Sequence, residues 1–357
     1  MVLFPETAPV AEGYRRRVQQ ELSAESVPQT SNGTMLIPKM WNGVRLITSE
    51  ASFSTTQILE ETLRHIKPDY VLVSSEDFAQ RLLQVAVTYE PRNTIYLAHT
   101  PQMFPFGPAA MLKSRSGAAA IQACRGVVGI SRFTRRYFED FLGLTTNVVY
   151  PPLTNPTCHS SDVVRRNGYV TMVNPCTVKG IDIFLELAAC CPETSFAALP
   201  GWGTTTEDIV RLRGANVTVL TPCKDMDEVW CKTRVLVVPS LWTEGFGLVV
   251  VEAMLRGIPV LSSDQGGLSE AKLGTPYVFP VNPIRRYSAS IDECGLPIAE
   301  RSVQDVLPWV VALKELMSSD DVYTKMATNA KVVAEAFVSS IDRDGLERVL
   351  LDKLQNG

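Results

Sequence analysis

Two glutamates stand out in the otherwise apolar segment 239–263, which reads PSLWTEGFGLVVVEAMLRGIPVLSS. Seven residues separate Glu244 from Glu252, and Gly245 and Gly247 lie between them. An ionised carboxylate accepts stronger hydrogen bonds from hydroxyl groups than a neutral acceptor does. Glycines let a backbone approach a ligand closely, and the free amides at the start of a helix attract anions or hydroxyls. This pattern is typical of a site for a ligand that carries hydroxyl groups and negative charge.

The same segment also fits an ordinary helix start. Glu244 would then be an acidic first-turn residue that complements the helix dipole, and Glu252 would face solvent. A dinucleotide-binding fingerprint is a weaker alternative, because Val250 stands where the third glycine would be needed.

A second candidate lies in the segment VTMVNPCTVKGIDIFLELA, at 170–188. We predict that Asn174 ends a strand and that Lys179 and Gly180 begin a helix. A lysine at a helix N-terminus is unfavourable for the dipole unless an anion lies between them. Lys179 therefore fits an anion site, although an exposed, solvated lysine is the simpler interpretation.

His99 is one of three histidines and directly follows the apolar run TIYLA. Ligands of open parallel sheets bind beyond the carboxyl ends of the strands, so this position is a candidate for a site. A lone histidine is also often structural. Arg132 lies in a small basic cluster that we interpret as a solvated helix face. The net charge of −4 argues against a nucleic-acid-binding protein.

The elements that must position these residues alternate between short β-branched runs and helical patterns, and the alternation occurs twice. Continuous apolar strands between helices are typical of parallel sheets covered on both faces. Prolines and polar residues interrupt the pattern before about residue 169. We therefore predict an α/β protein with Rossmann-like, doubly wound domains at 1–150 and 169–320, a linker at 151–168, and helices at 321–357.

One stretch of the sequence resembles a known family. The run EGFGLVVVE, after VPS and before AMLRGIPVLSSDQGGLSE, resembles the donor-binding signature of family 4 retaining glycosyltransferases, which have the GT-B fold. The resemblance covers about 169–281 and, more loosely, 94–150. It implies a nucleotide-sugar donor, retention at the anomeric carbon, no metal and no other cofactor. It also implies a site in a cleft between the two domains, with the last helices crossing back to the first domain.

The resemblance assigns roles to the two glutamates. Glu244 would contact the hydroxyls of a hexose and orient the sugar, and Glu252 would hold the ribose of the nucleotide. The backbone that follows Glu244 would line the sugar and the diphosphate, at Gly245, Phe246, Gly247 and Leu248.

Further roles follow from the same resemblance. Lys179 and Gly180 match the family's lysine and glycine at the diphosphate. The family's arginine in that loop is replaced here by Asn174, which removes one positive charge. Arg132 is a candidate for the missing cation, and an arginine at position 174 is expected to restore part of the activity lost with Lys179. His99 matches a histidine that lies close to the sugar and the acceptor.

The expected donor is a UDP-sugar, with GDP- and ADP-sugars as alternatives, and the acceptor is unidentified. Two rival interpretations stay open. One is a GT-B nucleotide-sugar epimerase, against which the Glu-x7-Glu pattern argues. The other is a noncatalytic GT-B relative that serves as a binding or partner subunit, which the replacement at Asn174 favours.

Other features of the sequence limit the possible location of the protein, the state of its cysteines and its metal sites. No apolar run reaches the ~18 residues of a membrane span, and the start MVLFPETAP lacks the features of a signal peptide. We therefore expect a cytoplasmic protein with at most peripheral membrane contact. The eight cysteines contain no CxxC pair and are expected to be reduced. The two Asp-x-Asp triplets are interpreted as helix caps rather than as metal ligands.

Overall fold

The computed structural model describes residues 2–3, 36–41, 44–49, 55–153, 156 and 167–355. The described residues pack as two units. Unit 1 comprises those within Met1–Gly129, Tyr137–Asn147 and Glu347–Gly357, and unit 2 those within Ile130–Arg136 and Val148–Leu346. Most of the predicted linker at 151–168 lies outside the described residues.

Unit 1 begins with a small mixed sheet of β1 (Val2–Leu3), β2 (Leu36–Trp41) and β3 (Val44–Ser49). Strand β3 pairs in parallel with β1 and antiparallel with β2. The sequence analysis assigned no strand to β2. The dipeptide Asn42-Gly43, which lies between the two antiparallel strands in the sequence, is the hairpin signal that could have indicated it.

The main sheet of unit 1 has the strand order β4-β5-β6-β7. Strands β4, β5 and β6 pair in parallel, as the strand–helix alternation predicted. The central strand β5 has Ile95, Tyr96 and Ala98 fully buried, because helices cover a parallel sheet on both faces. The elements of this part are α1 (Thr55–Ile66), β4 (Val71–Ser74), α2 (Arg81–Tyr89), β5 (Thr94–Ala98), α3 (Arg115–Ala123), β6 (Gly126–Gly129), α4 (Arg132–Leu142) and β7 (Asn147–Val148).

Unit 2 contains a six-stranded parallel sheet with the order β10-β9-β8-β11-β12-β13. The strand order reverses between β8 and β11, and ligands of doubly wound sheets bind at such a point. The elements are β8 (Tyr169–Val173), α5 (Ile181–Cys190), β9 (Phe196–Leu199), α6 (Thr206–Gly214), β10 (Thr218–Val219), α7 (Asp227–Trp230), β11 (Thr233–Val238), α8 (Leu248–Leu255), β12 (Val260–Ser263), α9 (Leu268–Ala271) and β13 (Val278–Phe279).

After this sheet come an antiparallel hairpin and three helices. The hairpin was not predicted, because its first strand is exposed almost throughout and lacks the apolar run of a core strand. The elements are β14 (Tyr287–Ile291), β15 (Pro297–Ala299), α10 (Leu307–Ser318), α11 (Asp320–Ser340) and α12 (Gly345–Gln355). The helical C-terminal tail agrees with the prediction, and the residues of α12 from Glu347 onward pack in unit 1, where the Tyr70 hydroxyl donates to the Leu350 carbonyl.

The expectation that the cysteines are all reduced is wrong at Cys231, which is disulfide-bonded. Six others are free thiols: Cys124, Cys176, Cys190, Cys191, Cys223 and Cys294. Cys158 lies outside the described residues. Sequence spacing alone could not indicate the bonded position, since disulfide partners are set by the fold.

Candidate functional site

The candidate site lies in unit 2, at the carboxyl edge of the six-stranded sheet. Four loops follow neighbouring strands there: 174–180 after β8, 200–205 after β9, 239–247 after β11 and 264–267 after β12. The loops after β8 and β11 carry residues that the sequence analysis singled out, and the loop after β12 carries the two glycines of the matched stretch. The fourth, after β9, carries residues that it missed.

Lys179 and Glu244 pair with each other in this structure. The Lys179 ammonium lies 2.5 Å from Glu244 Oε1, and the Ser240 hydroxyl donates to the same oxygen at 2.6 Å. The two charged side chains are only 17% and 16% exposed. The structure therefore brings together one predicted anion-binding group and one predicted hydroxyl-binding group, from the loops after β8 and β11.

Glycine 180 allows these two loops to meet. Its φ is +82°, and a Cβ atom at this position would lie 2.0 Å from the Pro239 carbonyl oxygen. The backbone amides of Leu241 and Trp242 both donate to the Val178 carbonyl, at 3.0 and 3.3 Å. Lys179 ends a 3₁₀ turn, Thr177–Lys179, and α5 begins two residues later, so the predicted helix start is shifted by two residues.

Two tryptophans flank the Lys179 ammonium. Its Nζ lies 4.5 Å from the ring centroid of Trp242 and 5.7 Å from that of Trp202. The two indoles stack with centroids 5.4 Å apart and planes 27° apart. Aromatic faces attract cations, so the rings help to hold the lysine in place. The sequence analysis missed both residues, although each follows a predicted strand of the parallel sheet.

Asn174 has a structural role in the loop after β8. It adopts a left-handed conformation, with φ +55°, and is only 6% exposed. Its Oδ1 accepts hydrogen bonds from the Gly203 amide at 3.0 Å and the Thr204 hydroxyl at 3.3 Å. Asn174 therefore anchors the loop that carries Trp202. Its Nδ2 is buried and has no hydrogen-bond partner among the described residues.

The Gly266-Gly267 pair fixes the backbone at Glu244. The Gly267 amide donates to the Glu244 carbonyl at 2.7 Å. A Cβ atom on Gly266, whose φ is +61°, would lie 2.3 Å from that carbonyl oxygen. Glycine is needed here because another backbone passes where a side chain would stand. The loop after β12 thus supports the loop after β11.

Three backbone amides are available for a ligand at the start of α8. Among the described residues, the amides of Phe246, Gly247 and Leu248 donate to no acceptor. Gly247 precedes the helix with φ +111°, a conformation that other residues rarely adopt. The Phe246 ring is buried against Tyr150 and Phe337, so only its backbone is offered. Amides at a helix N-terminus form a ready site for an anion.

The orientation of the first of these amides is set by a distant segment of unit 2. The Gly245 carbonyl accepts hydrogen bonds from the hydroxyls of Ser131, at 2.5 Å, and Thr134, at 3.3 Å. Both hydroxyl residues are fully buried. Because the C=O and N–H of a trans peptide point in opposite directions, this anchor turns the Phe246 amide away from Ser131.

Glu252 lies on α8, where its neighbours on the helix are buried apolar residues. Its carboxylate accepts no hydrogen bond from the described residues, and burial raises its pKa, an effect that nearby Arg256 opposes. A partly buried carboxylate without a hydrogen-bond donor is costly to the fold. Such a group is available for ligand hydroxyls, and the role of Glu252 at a ribose stays a prediction.

Glu252→Gln is expected to weaken nucleoside diphosphate binding about tenfold, because a neutral acceptor makes a weaker bond than a carboxylate. The same variant is expected to keep or slightly raise the melting temperature, since it removes a charge that burial disfavours. Calorimetry and thermal melting measure the two effects. Unchanged affinity would remove Glu252 from the site, and a large drop in melting temperature would mean that its role is structural.

Arg132 does not join this cluster in the structure. Its backbone amide and that of Phe133 donate to the Glu270 carboxylate, at 3.0 and 2.8 Å. The Tyr150 hydroxyl donates to the same carboxylate at 2.5 Å, and the Arg132 side chain lies beside that hydroxyl. Glu270, which the sequence analysis did not single out, therefore caps the start of α4.

His99 lies in unit 1, directly after β5. Its Nδ1 is 3.4 Å from the Ser74 hydroxyl, and its backbone amide donates to the Ser75 hydroxyl at 3.1 Å. Burial lowers the pKa of His99, an effect that Glu76 partly offsets. The ring is therefore neutral at neutral pH and able to accept or donate one hydrogen bond at each nitrogen.

Within the described part of the chain, no group of three or more histidine, cysteine, aspartate or glutamate side chains could hold a metal ion. In the two Asp-x-Asp triplets, the first aspartate accepts a hydrogen bond from the backbone amide of the third residue. Asp225 accepts from Asp227, and Asp342 accepts from Asp344. No described helix is long and apolar enough to cross a membrane.

Comparisons with known proteins match part of the chain to a family and to two curated relatives. Residues 166–293, which contain the whole cluster around Lys179 and Glu244, match the family described as "Glycosyl transferases group 1". An uncharacterised 42.6 kDa protein from the cps region of Klebsiella pneumoniae is 31% identical over 121 residues, which are 34% of this chain. The D-inositol 3-phosphate glycosyltransferase of Gordonia bronchialis is 33% identical over 110 residues, which are 31% of this chain. The matched stretches span only 31% and 19% of these two relatives.

The fold is shared by solved structures over most of the chain. The Anabaena protein Alr3699/HepE, solved in complex with UDP and glucose, matches with a TM-score of 0.61 at 18% identity. The match covers 83% of this chain and 80% of that one. The fold is therefore GT-B, as the resemblance implied: parallel α/β sheets with a helical C-terminal tail.

Proposed function

We propose that the protein is a retaining, metal-independent glycosyltransferase. It transfers a hexosyl group from a nucleotide-diphosphate sugar to an acceptor that the sequence does not identify. UDP is the nucleotide we expect, since HepE, which has the same fold, was solved with UDP and glucose. The sequence match of residues 166–293 to group 1 glycosyl transferases supports the same reaction class.

One observation carries the proposal. Lys179, Glu244 and Ser240 form a hydrogen-bonded cluster at the point where the strand order reverses, in the loop that leads to the free amides of Phe246–Leu248. A cation and helix amides can stabilise a departing diphosphate, and a carboxylate can hold the hydroxyls of the sugar. Preorganised groups of this kind often supply the largest part of a catalytic effect.

The ion pair between Lys179 and Glu244 has a consequence for donor binding. When the diphosphate enters, the ammonium must be shared with it or leave the carboxylate, which then becomes free for sugar hydroxyls. The developing negative charge on the departing phosphate would draw Lys179 further, so the interaction strengthens as the glycosidic bond breaks. In this mechanism the leaving phosphate helps to take the acceptor proton, and no protein nucleophile is required.

A thermal-shift panel of UDP, GDP, ADP and their glucose conjugates tests the proposal. A ligand at one hundred times its dissociation constant adds about 2.7 kcal/mol of stability. We expect UDP and UDP-glucose to raise the melting temperature most, and UDP-glucose to be hydrolysed slowly without an acceptor. A protein that no nucleotide or nucleotide sugar stabilises is not a glycosyltransferase of this kind.

A noncatalytic binding subunit is the second candidate, because Asn174 supplies a structural anchor where the family has a cation. Binding of UDP-glucose without hydrolysis or transfer to any sugar or lipid acceptor would favour it. An epimerase would instead convert UDP-glucose to a stereoisomer in the absence of acceptor, which product analysis detects.

A further inference from the structure

We propose that the indole of Trp202 is a stacking platform for the hexose ring of the donor. This inference rests on the proposed function and adds a residue that neither the sequence motif nor the reaction requires. Trp202 lies in the loop after β9, next to the strand that precedes Lys179. It would select the sugar rather than the nucleotide.

The first support is the exposure of the ring. Trp202 is 43% exposed, whereas Trp242, on which it stacks, is only 7% exposed. The inner indole thus acts as backing for the outer one. Burying the open surface of a large aromatic ring against a ligand is favourable, and aromatic side chains contribute strongly to recognition where one end stays wet.

The second support is the position of the ring beside the charged cluster. Lys179 Nζ lies 5.7 Å from the Trp202 centroid, 4.5 Å from the Trp242 centroid and 2.5 Å from Glu244 Oε1. The two ring centroids are 5.4 Å apart, so the Lys179 ammonium lies within cation–π range of both rings of the stacked pair while it pairs with Glu244. An aromatic face therefore stands next to a carboxylate that can accept hydrogen bonds.

A hexose fits this combination chemically. A pyranose ring has hydroxyl groups around its edge and C–H groups on its faces. The edge suits a carboxylate such as Glu244, and a C–H face suits an indole such as Trp202. The nucleoside is expected further along, near Glu252, which lies eight residues after Glu244 and within the following helix.

The third support is that hydrogen bonds to two separate segments hold the loop. Asn174 Oδ1 accepts from the Gly203 amide and the Thr204 hydroxyl. The turn between β14 and β15 contacts the same loop. There the Cys294 thiol donates to the Thr204 carbonyl at 3.6 Å. A ring that is already fixed in place loses little conformational freedom when a ligand stacks on it.

Titration calorimetry on the full chain tests the proposal, with UDP-glucose and UDP as the two probes. Trp202→Ala is expected to weaken UDP-glucose binding about tenfold and to leave UDP binding within about twofold, so that the sugar's contribution is lost. Trp202→Phe keeps a flat ring and is expected to recover most of the loss. Phe141→Ala, which removes another exposed aromatic ring (48% exposed) in unit 1, is the matched control.

The outcomes separate this proposal from the proposed function. Equal losses for UDP and UDP-glucose would mean that the ring acts on the nucleotide, directly or through its contact with Lys179, and would overturn the sugar platform. Unchanged affinity of Trp202→Ala for UDP-glucose would also overturn it, while leaving the glycosyltransferase proposal intact. If the wild-type chain binds no UDP-, GDP- or ADP-glucose, the proposed function itself fails and the platform with it.

Discussion

Lys179→Ala is expected to lower kcat for donor turnover by about 100-fold, the scale of removing one preorganised electrostatic group. Its ammonium is the cation that the structure places on Glu244, and Asn174 supplies no second charge in the same loop. The loss should fall on kcat more than on the donor KM, because the leaving phosphate gains negative charge as the bond breaks. Steady-state kinetics of UDP-glucose hydrolysis or transfer measure it.

Two further variants make this test specific. Lys179→Met keeps an unbranched chain against Trp242 but removes the charge, so it should be as slow as Lys179→Ala. Lys331→Ala removes an exposed lysine that pairs with Glu335 on α11 and should keep wild-type kinetics. If Lys179→Ala turns over at the wild-type rate, the diphosphate binds elsewhere.

The structure also changes one expectation from the sequence. The sequence alone predicts that an arginine at position 174 restores a charge lost with Lys179. Asn174 is buried in a left-handed conformation and holds the Gly203 amide, so Asn174→Arg would leave that amide without its acceptor. An unpaired buried donor is costly. We therefore expect the double variant with Lys179→Ala to be less stable and no faster than Lys179→Ala alone.

The parts of the fold that follow from local patterns could be predicted from the sequence. Apolar strands that alternate with helices indicated both parallel sheets, and the glycines around Glu244 indicated a close backbone approach. The antiparallel strands β2 and β14 were missed because they lack a long apolar run. Such strands are defined by their partners rather than by their own composition.

The parts of the site that depend on contacts between distant segments could not be predicted. Asn174 and Gly203 are 29 residues apart, and Ser131 and Gly245 are 114 residues apart. A sequence pattern shows that a polar residue follows a strand, but it does not show which loop that residue binds. For the same reason, Asn174 was interpreted as a lost charge rather than as the anchor of the Trp202 loop.

His99→Ala is expected to lower kcat for transfer by about 100-fold while donor affinity stays within a few-fold, if its ring acts on the sugar or acceptor during the reaction. His99 stands at the carboxyl end of β5, beside the hydroxyls of Ser74 and Ser75. The donor residues belong to unit 2, so loss of His99 removes none of them. Comparing calorimetry of UDP binding with transfer kinetics separates the two effects.

The pH dependence gives a second test of the same residue. Burial lowers the pKa of His99 in the folded protein below its ordinary value of about 6.5. The neutral ring therefore contributes stability fully above about pH 6.5, and this contribution declines as the pH falls, because the unfolded chain takes up the proton more readily. If the neutral His99 ring takes part in the reaction, wild-type activity should decline only below that pH. His65→Ala, which removes an exposed histidine on α1, should change neither profile. A His99→Ala variant with near-normal turnover, and with the same acid limb as the wild type, would remove His99 from the reaction and leave it a structural residue of unit 1.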